Sequence, residues 1–178
     1  MIMAANETDT AMVASDREFA ISRVFTASRA LVWEAWTDPR RMAQWWGPRA
    51  FANPVCELDV RVGGAFRIHM RAPDGALYPI TGVYREVVEP GRLVMTLDCS
   101  GHPDSWHDQV NPHRAKGGNS TGEMLQTAIF DDLGGQTRLT IRTRLESGAI
   151  LAAMVKMGMN EGWSQSLDRL EVHLPRIV

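Results

Sequence analysis

At 178 residues, with 44 % apolar and 22 % charged side chains, the chain has the make-up of one globular domain that can bury a real core. A net charge of -2 excludes an electrostatic case for nucleic acid or an anionic membrane surface, and no apolar run is long enough to span a bilayer. Two cysteines, Cys56 and Cys99, make no disulfide framework, and the N-terminus lacks the basic start and long apolar stretch of a secretory signal. A cytoplasmic protein with reduced thiols is therefore expected.

Residues 1–15 are small and polar without a period and read as a frayed tail, leaving 16–178 as a single domain. From Arg17 the chain alternates. Phe19, Ile21 and Phe25 share one face of a half-buried strand, with Arg23 as an exception. Thr26 or Ser28 can cap a helix that buries Leu31, Val32, Ala35 and Trp36. Asp38-Pro39 starts a second, short helix, with Asp as N-cap and Pro in the first position, and Gly47-Pro48 ends it.

Strands follow in series. Cys56, Leu58 and Val60 alternate with Val55, Glu57 and Asp59 up to a Gly63-Gly64 turn. Phe66, Ile68 and Met70 alternate with Arg67, His69 and Arg71 before the turn Pro73-Asp74-Gly75. Tyr78 to Val88 is a longer strand with Gly82 as a bend or bulge. Leu93, Met95, Leu97 and Cys99 line one face of the next. Residues 101–121 read as a long polar loop. Met124 to Asp131, Gly134-Gly135 and Leu139 to Leu145 form a closing hairpin. One sheet face is thus apolar and the other arginine-rich, the pattern of an antiparallel sheet covered on one side. The cover is a helix from a Ser147 cap through Ile150, Leu151, Met154, Val155, Met159, Trp163, Leu167, Leu170 and Leu174. Its length of about 26 residues is about 39 Å at about 1.5 Å each.

Several ordered motifs carry a family resemblance. Ala30-Leu31-Val32-Trp33-Glu34-Ala35-Trp36-Thr37-Asp38-Pro39, then Trp45-Trp46-Gly47-Pro48, then Asp59 to Phe66 with its Gly63-Gly64, resemble the START-like (SRPBCC) superfamily. Within it they are similar to the homologues of the activator of heat-shock protein 90 ATPase. Gly91-Arg92-Leu93-Val94, Gly134 to Thr140 and Gly162 to Leu170 continue the likeness, which runs from about Arg17 to Leu174. It implies an α+β helix-grip fold. A curved antiparallel sheet of six or seven strands wraps a long C-terminal helix, with two short helices after the first strand. It also implies a cavity, because members of the superfamily share a hollow and not a reaction. The eukaryotic co-chaperones carry a separate N-terminal domain for which this chain has no room, which sets chaperone activation below ligand binding as an expectation.

Six tryptophans and ten methionines suit either a packed core or a cavity wall, since Trp is large and Met adapts to irregular shapes. The residues placed at a ligand site are Trp36, Trp45, Trp46, Phe66, Ile68, Met70, Leu93, Met95, Leu97, Trp106, Met154 and Trp163. Arg23, Glu86, Gln126 and Thr143 are the polar residues that could turn inward. Gly158, Gly162 and Ser166 recur every four residues on one helix face, which allows close packing, a kink or room for a ligand. Trp106 could fold over a cavity mouth. Three of the five histidines, His102, His107 and His113, share the loop, but their spacing matches no zinc signature, and no metal or cofactor is expected.

No nucleophile elbow, phosphate-cradling glycine loop or Ser-His-Asp order is present, so no catalytic residue is assigned. The leading expectation is a module that binds a small, mostly apolar molecule between the C-terminal helix and the sheet. Two alternatives stand beside it. One is a cyclase- or hydrolase-type enzyme in the same cavity, which needs an interior carboxylate or histidine with shifted titration. The other is a co-chaperone-like interaction module with a chaperone partner, which needs Trp45 and Trp46 exposed on an apolar patch. A homodimer is compatible with the sequence; a nucleic-acid or membrane partner is not expected.

Overall fold

The computed structural model describes residues 9–176. Its eight strands are β1 (Thr10–Ser15), β2 (Glu18–Phe25), β3 (Ala52–Leu58), β4 (Ala65–Arg71), β5 (Leu77–Val88), β6 (Arg92–Leu97), β7 (Met124–Asp132) and β8 (Thr137–Arg144). They form one antiparallel sheet in the order β1-β2-β8-β7-β6-β5-β4-β3. The expected six or seven strands become eight because β1 pairs with β2, Ala11 opposite Ile21 and Val13 opposite Phe19. Residues 10–15 are therefore an edge strand and not part of a tail. The apolar alternation is weak there because every residue of β1 is exposed. Residues 1–8, the rest of that expected tail, lie outside the described residues.

The sheet curves at β5. Leu77 to Val83 pair with β4, whereas Tyr84 to Val88 pair with β6 across an irregularity between Tyr84 and Glu86. A strand that changes partner midway bends the sheet and makes its apolar face concave.

Local chemistry sets the helix boundaries. In α1 (Arg29–Thr37) the Ser28 hydroxyl accepts the Leu31 N–H at 3.4 Å. Asp38 then serves two helices. Its backbone N–H closes α1 on Glu34, and its carboxylate accepts the Arg40 N–H at 2.8 Å to open α2 (Pro39–Trp45). The helices bring four tryptophans into one aromatic array. Trp36 lies 5.1 Å from Trp45 and 5.9 Å from Trp46, edge-on to Phe130 of β7, while Trp46 meets Trp163 at 5.4 Å. This array fills one end of the concave face.

Two expectations are corrected. The segment 101–121 contains a helix, α3 (Asp104–Val110). Arg114 clasps it through Asp104 and Asp108, both at 2.9 Å, and through the Gly118 carbonyl at 2.8 Å. The single C-terminal helix is in fact two, α4 (Gly148–Lys156) and α5 (Met159–His173), followed by a short 3-10 turn at Leu174–Arg176. Gly158 separates them at φ 101°, a left-handed conformation that ends one helix and reorients the next. The apolar period continues across the break, which is why the sequence pattern reads as one helix.

Candidate functional site

Under the junction of α4 and α5 the concave face is not filled. A cavity of about 180 Å³ remains there. Its floor is the sheet: Ile80 of β5, Leu97 of β6, Met124 and Gln126 of β7, and Thr143 of β8. Its roof is Met154 of α4 with Met159, Gly162, Trp163 and Ser166 of α5. Trp46, Gly47 and Pro48 after α2 close one side, and His102 and Trp106 close the other. An adjoining depression of about 330 Å³ shares Met70, His102, Trp106 and Met159 with it and adds Tyr78, Met157 and Gly158. This depression reaches the helix break at Gly158.

Of the residues expected at a ligand site, Trp46, Met70, Leu97, Trp106, Met154 and Trp163 line this cavity. Trp36, Trp45, Phe66, Ile68, Leu93 and Met95 do not. They are buried in the packed core, and the Trp45 indole N–H is spent on the Ala35 carbonyl at 2.9 Å. Alternation identifies the inward face of a strand but not the position along it where packing stops. Ile80 and Met124 carry the same alternation and could have been included.

The inward polar residues separate into two kinds. Arg23 is fully buried but does not line the hollow, being tied to Asp9, Asp168 and Glu171. Glu86 faces Arg92 at 3.3 Å and is partly exposed. Gln126 and Thr143, by contrast, enter the cavity. They are 0 % and 1 % exposed, and among the described residues no group satisfies the Gln126 amide or the Thr143 hydroxyl.

His102 is the residue whose role the sequence did not reveal. It packs edge-on against Trp106 at 4.5 Å and Tyr78 at 5.2 Å, and neither ring nitrogen has a partner among the described residues. Burial, reinforced by neighbouring His107 and only partly opposed by Asp98, pushes its pKa down to about 4. It stands neutral at physiological pH. His107 is structural instead. Its Nδ1 accepts from the Ser120 N–H and hydroxyl, leaving Nε2 to donate to the Ser100 carbonyl at 3.3 Å. Cys99 also borders the cavity, and burial pushes its thiol up to about 12, which makes it an inert wall.

The sign of the His102 effect follows from linkage. The folded protein holds the ring deprotonated down to about pH 4, whereas an unfolded chain protonates it near pH 6.5. Between those values the unfolded state binds more protons, so stability falls as pH drops from about 6.5 toward about 4 and is insensitive to this group above that window. His173, whose pKa is lowered by burial and by Arg41 and Arg176, acts in the same direction. His102→Phe is expected to shrink the loss of stability between pH 7 and pH 5. Urea unfolding midpoints at the two pH values would show it; an unchanged difference would contradict the assignment.

Among the described residues no cluster of three or more His, Cys, Asp or Glu could hold a metal ion, and no helix is long and apolar enough to cross a membrane. Trp45 and Trp46 are 0 % and 4 % exposed, so they offer no surface patch.

Comparison with solved structures shows the same architecture elsewhere. A protein from Nitrosomonas europaea is 23 % identical with a TM-score of 0.75, covering 92 % of this chain and 97 % of its own. One from Rhodobacter sphaeroides is 19 % identical with a TM-score of 0.78, covering 96 % and 99 %. The AHSA1 protein from Silicibacter pomeroyi is 22 % identical with a TM-score of 0.67, covering 89 % and 97 %. These likenesses establish the fold. Among curated proteins, none matches the sequence. Residues 26–175 match the family described as activator of Hsp90 ATPase homolog 1-like protein (AHSA1). That match spans the helix pair, strands β3 to β8 and the helices that roof the cavity, and the chain accordingly belongs to the AHSA1 family, with its helix-grip fold.

Proposed function

We propose that this protein binds a small, largely apolar molecule in the cavity between the sheet and the α4–α5 junction. The observation that carries the reading is a hollow of about 180 Å³ walled by Trp46, Trp106, Trp163 and four methionines. A void of roughly 150 Å³ in an apolar core is known to accept a benzene-sized guest, so this one suits about a single ring. Removal of apolar surface from water at about 25 cal/mol per Å² supplies the driving force. Two free cysteines are compatible with the reducing cytoplasm as its location.

The enzyme reading has one observation in its favour, the interior His102. Among the described residues no hydrogen-bonded group orients that ring, and a pKa of about 4 makes it a weak base at neutral pH. It serves better as a neutral hydrogen-bond partner. The co-chaperone reading loses its main support with the burial of Trp45 and Trp46.

Gly162 provides the test. It lies inside α5, and a Cβ there would meet only Pro48 Cγ, at 3.9 Å. Glycine within a helix costs about 1 kcal/mol relative to alanine, so its presence preserves space. Gly162→Ala is expected to stabilise the protein by up to about 1 kcal/mol. Gly162→Leu is expected to fill the cavity. In wild type, ethylbenzene should change the tryptophan fluorescence saturably, because three of its tryptophans line the wall. In Gly162→Leu that change should vanish. Equal responses in the two proteins would place binding elsewhere.

A further inference from the structure

Gln126 and Thr143 are directly opposed across the β7–β8 ladder. Opposed side chains on one sheet face have Cβ atoms about 4.5–5.5 Å apart, so one ligand group can reach both. Their neighbours on the inward face are apolar: Met95 opposes Gln126 from β6, and Met124 and Ala128 flank it along β7. Fully buried polar side chains without partners are uncommon, and each unmade hydrogen bond in a dry site is costly. Here the amide nitrogen, the amide oxygen and the hydroxyl are all unmatched by the described residues, and Gln126 and Thr143 border the same hollow. Among the described residues no charged side chain lines it.

We infer that the ligand is an uncharged, single-ring-sized molecule bearing a primary carboxamide or lactam, whose C=O and N–H pair with the Gln126 side chain at the cavity floor. This deepens the binding reading above and rests on it. The Gln126 amide presents one donor and one acceptor side by side. A group with C=O and N–H on the same edge meets both through two parallel hydrogen bonds. The Thr143 hydroxyl then donates to the second lone pair of the ligand carbonyl or accepts the second hydrogen of a primary amide. A carboxylate is a poor match. It has only acceptors, so the Gln126 oxygen stays unmatched, and it would bring a charge into a site with no cation. A hydrocarbon leaves all three groups unmatched.

The experiment titrates the full chain with benzamide, ethylbenzene and benzoate at pH 7.5, read by tryptophan fluorescence, in wild type and in Gln126→Leu. Benzamide is expected to bind wild type at least tenfold more tightly than ethylbenzene, with benzoate weakest. In Gln126→Leu the order of benzamide and ethylbenzene should reverse. Thr143→Val gives an independent arm, with benzamide weakened severalfold and ethylbenzene unaffected or improved. Saturable ethylbenzene binding with no preference for benzamide, or a preference that survives both substitutions, overturns the inference and leaves the apolar cavity standing. Absence of binding by any probe to wild type and variants alike overturns both.

Discussion

Gly82→Ala is expected to destabilise the protein by about 3 kcal/mol, at or beyond the upper end of ordinary overpacking costs. Gly82 sits where β5 passes from its pairing with β4 to its pairing with β6, opposite Phe66. A Cβ at this position would fall 1.9 Å from the Thr96 carbonyl oxygen and 2.5 Å from the Phe66 ring. Phe66 is a core residue packed on Tyr84 at 5.6 Å and has no room to turn away. The carbonyl belongs to β6 and moves only if the strand moves. Either response flattens the bend that makes the sheet concave. At about 2–4 °C per kcal/mol for a chain of this size, the melting temperature should fall by about 6–12 °C. A thermal unfolding curve within about 2 °C of wild type would contradict the close approach.

Arg23→Met is expected to cost about 3 kcal/mol, the lower end of the range for breaking a buried ion pair. The Arg23 side chain is 0 % exposed on β2, between the sheet and α5. Burial disfavours its charge, but hydrogen bonds and attraction from Asp9 and Asp168 outweigh that and raise its pKa. Its Nη2 donates to Asp9 at 2.6 Å and lies 2.9 Å from Asp168, and Asp9 in turn accepts the Ser164 hydroxyl at 2.6 Å. One guanidinium thus joins the segment before β1, the sheet and α5. Methionine keeps most of the volume but leaves the carboxylates of Asp9, Asp168 and Glu171 facing one another. The cost stays near the lower end because Asp168 and Glu171 retain water at 34 % and 52 % exposure. Glu171→Gln, which removes only a partly exposed partner at 3.4 Å, should cost under about 1 kcal/mol. Urea unfolding of the two variants measures the contrast; similar losses would show that Arg23 acts through packing alone.

Arg23 also shows how far local pattern can be read. In sequence it is an exception to the alternation of Phe19, Ile21 and Phe25. Its position on the inward face is correctly implied by that alternation. Its partners are not, because Asp9, Asp168 and Glu171 come from two ends of the chain. Gln126 and Thr143 are similar. Alternation turns them inward, yet whether a partner meets them depends on α5, which approaches only in the folded molecule.

Turns, helix caps and the one-sided sheet were determined by the sequence itself, since each depends on residues within a few positions of one another. Asp38 and Ser147 cap the helices they were expected to cap, and of the two candidates Thr26 and Ser28 it is Ser28 that caps α1. The pairing of β1, the break at Gly158 and the hollow below it were decided by tertiary structure. An edge strand is specified by its neighbour's free backbone groups and not by its own side chains. A continuous apolar period does not register a two-residue change of direction. A cavity is the space left when the volumes of several distant segments are summed, and no single segment carries that sum.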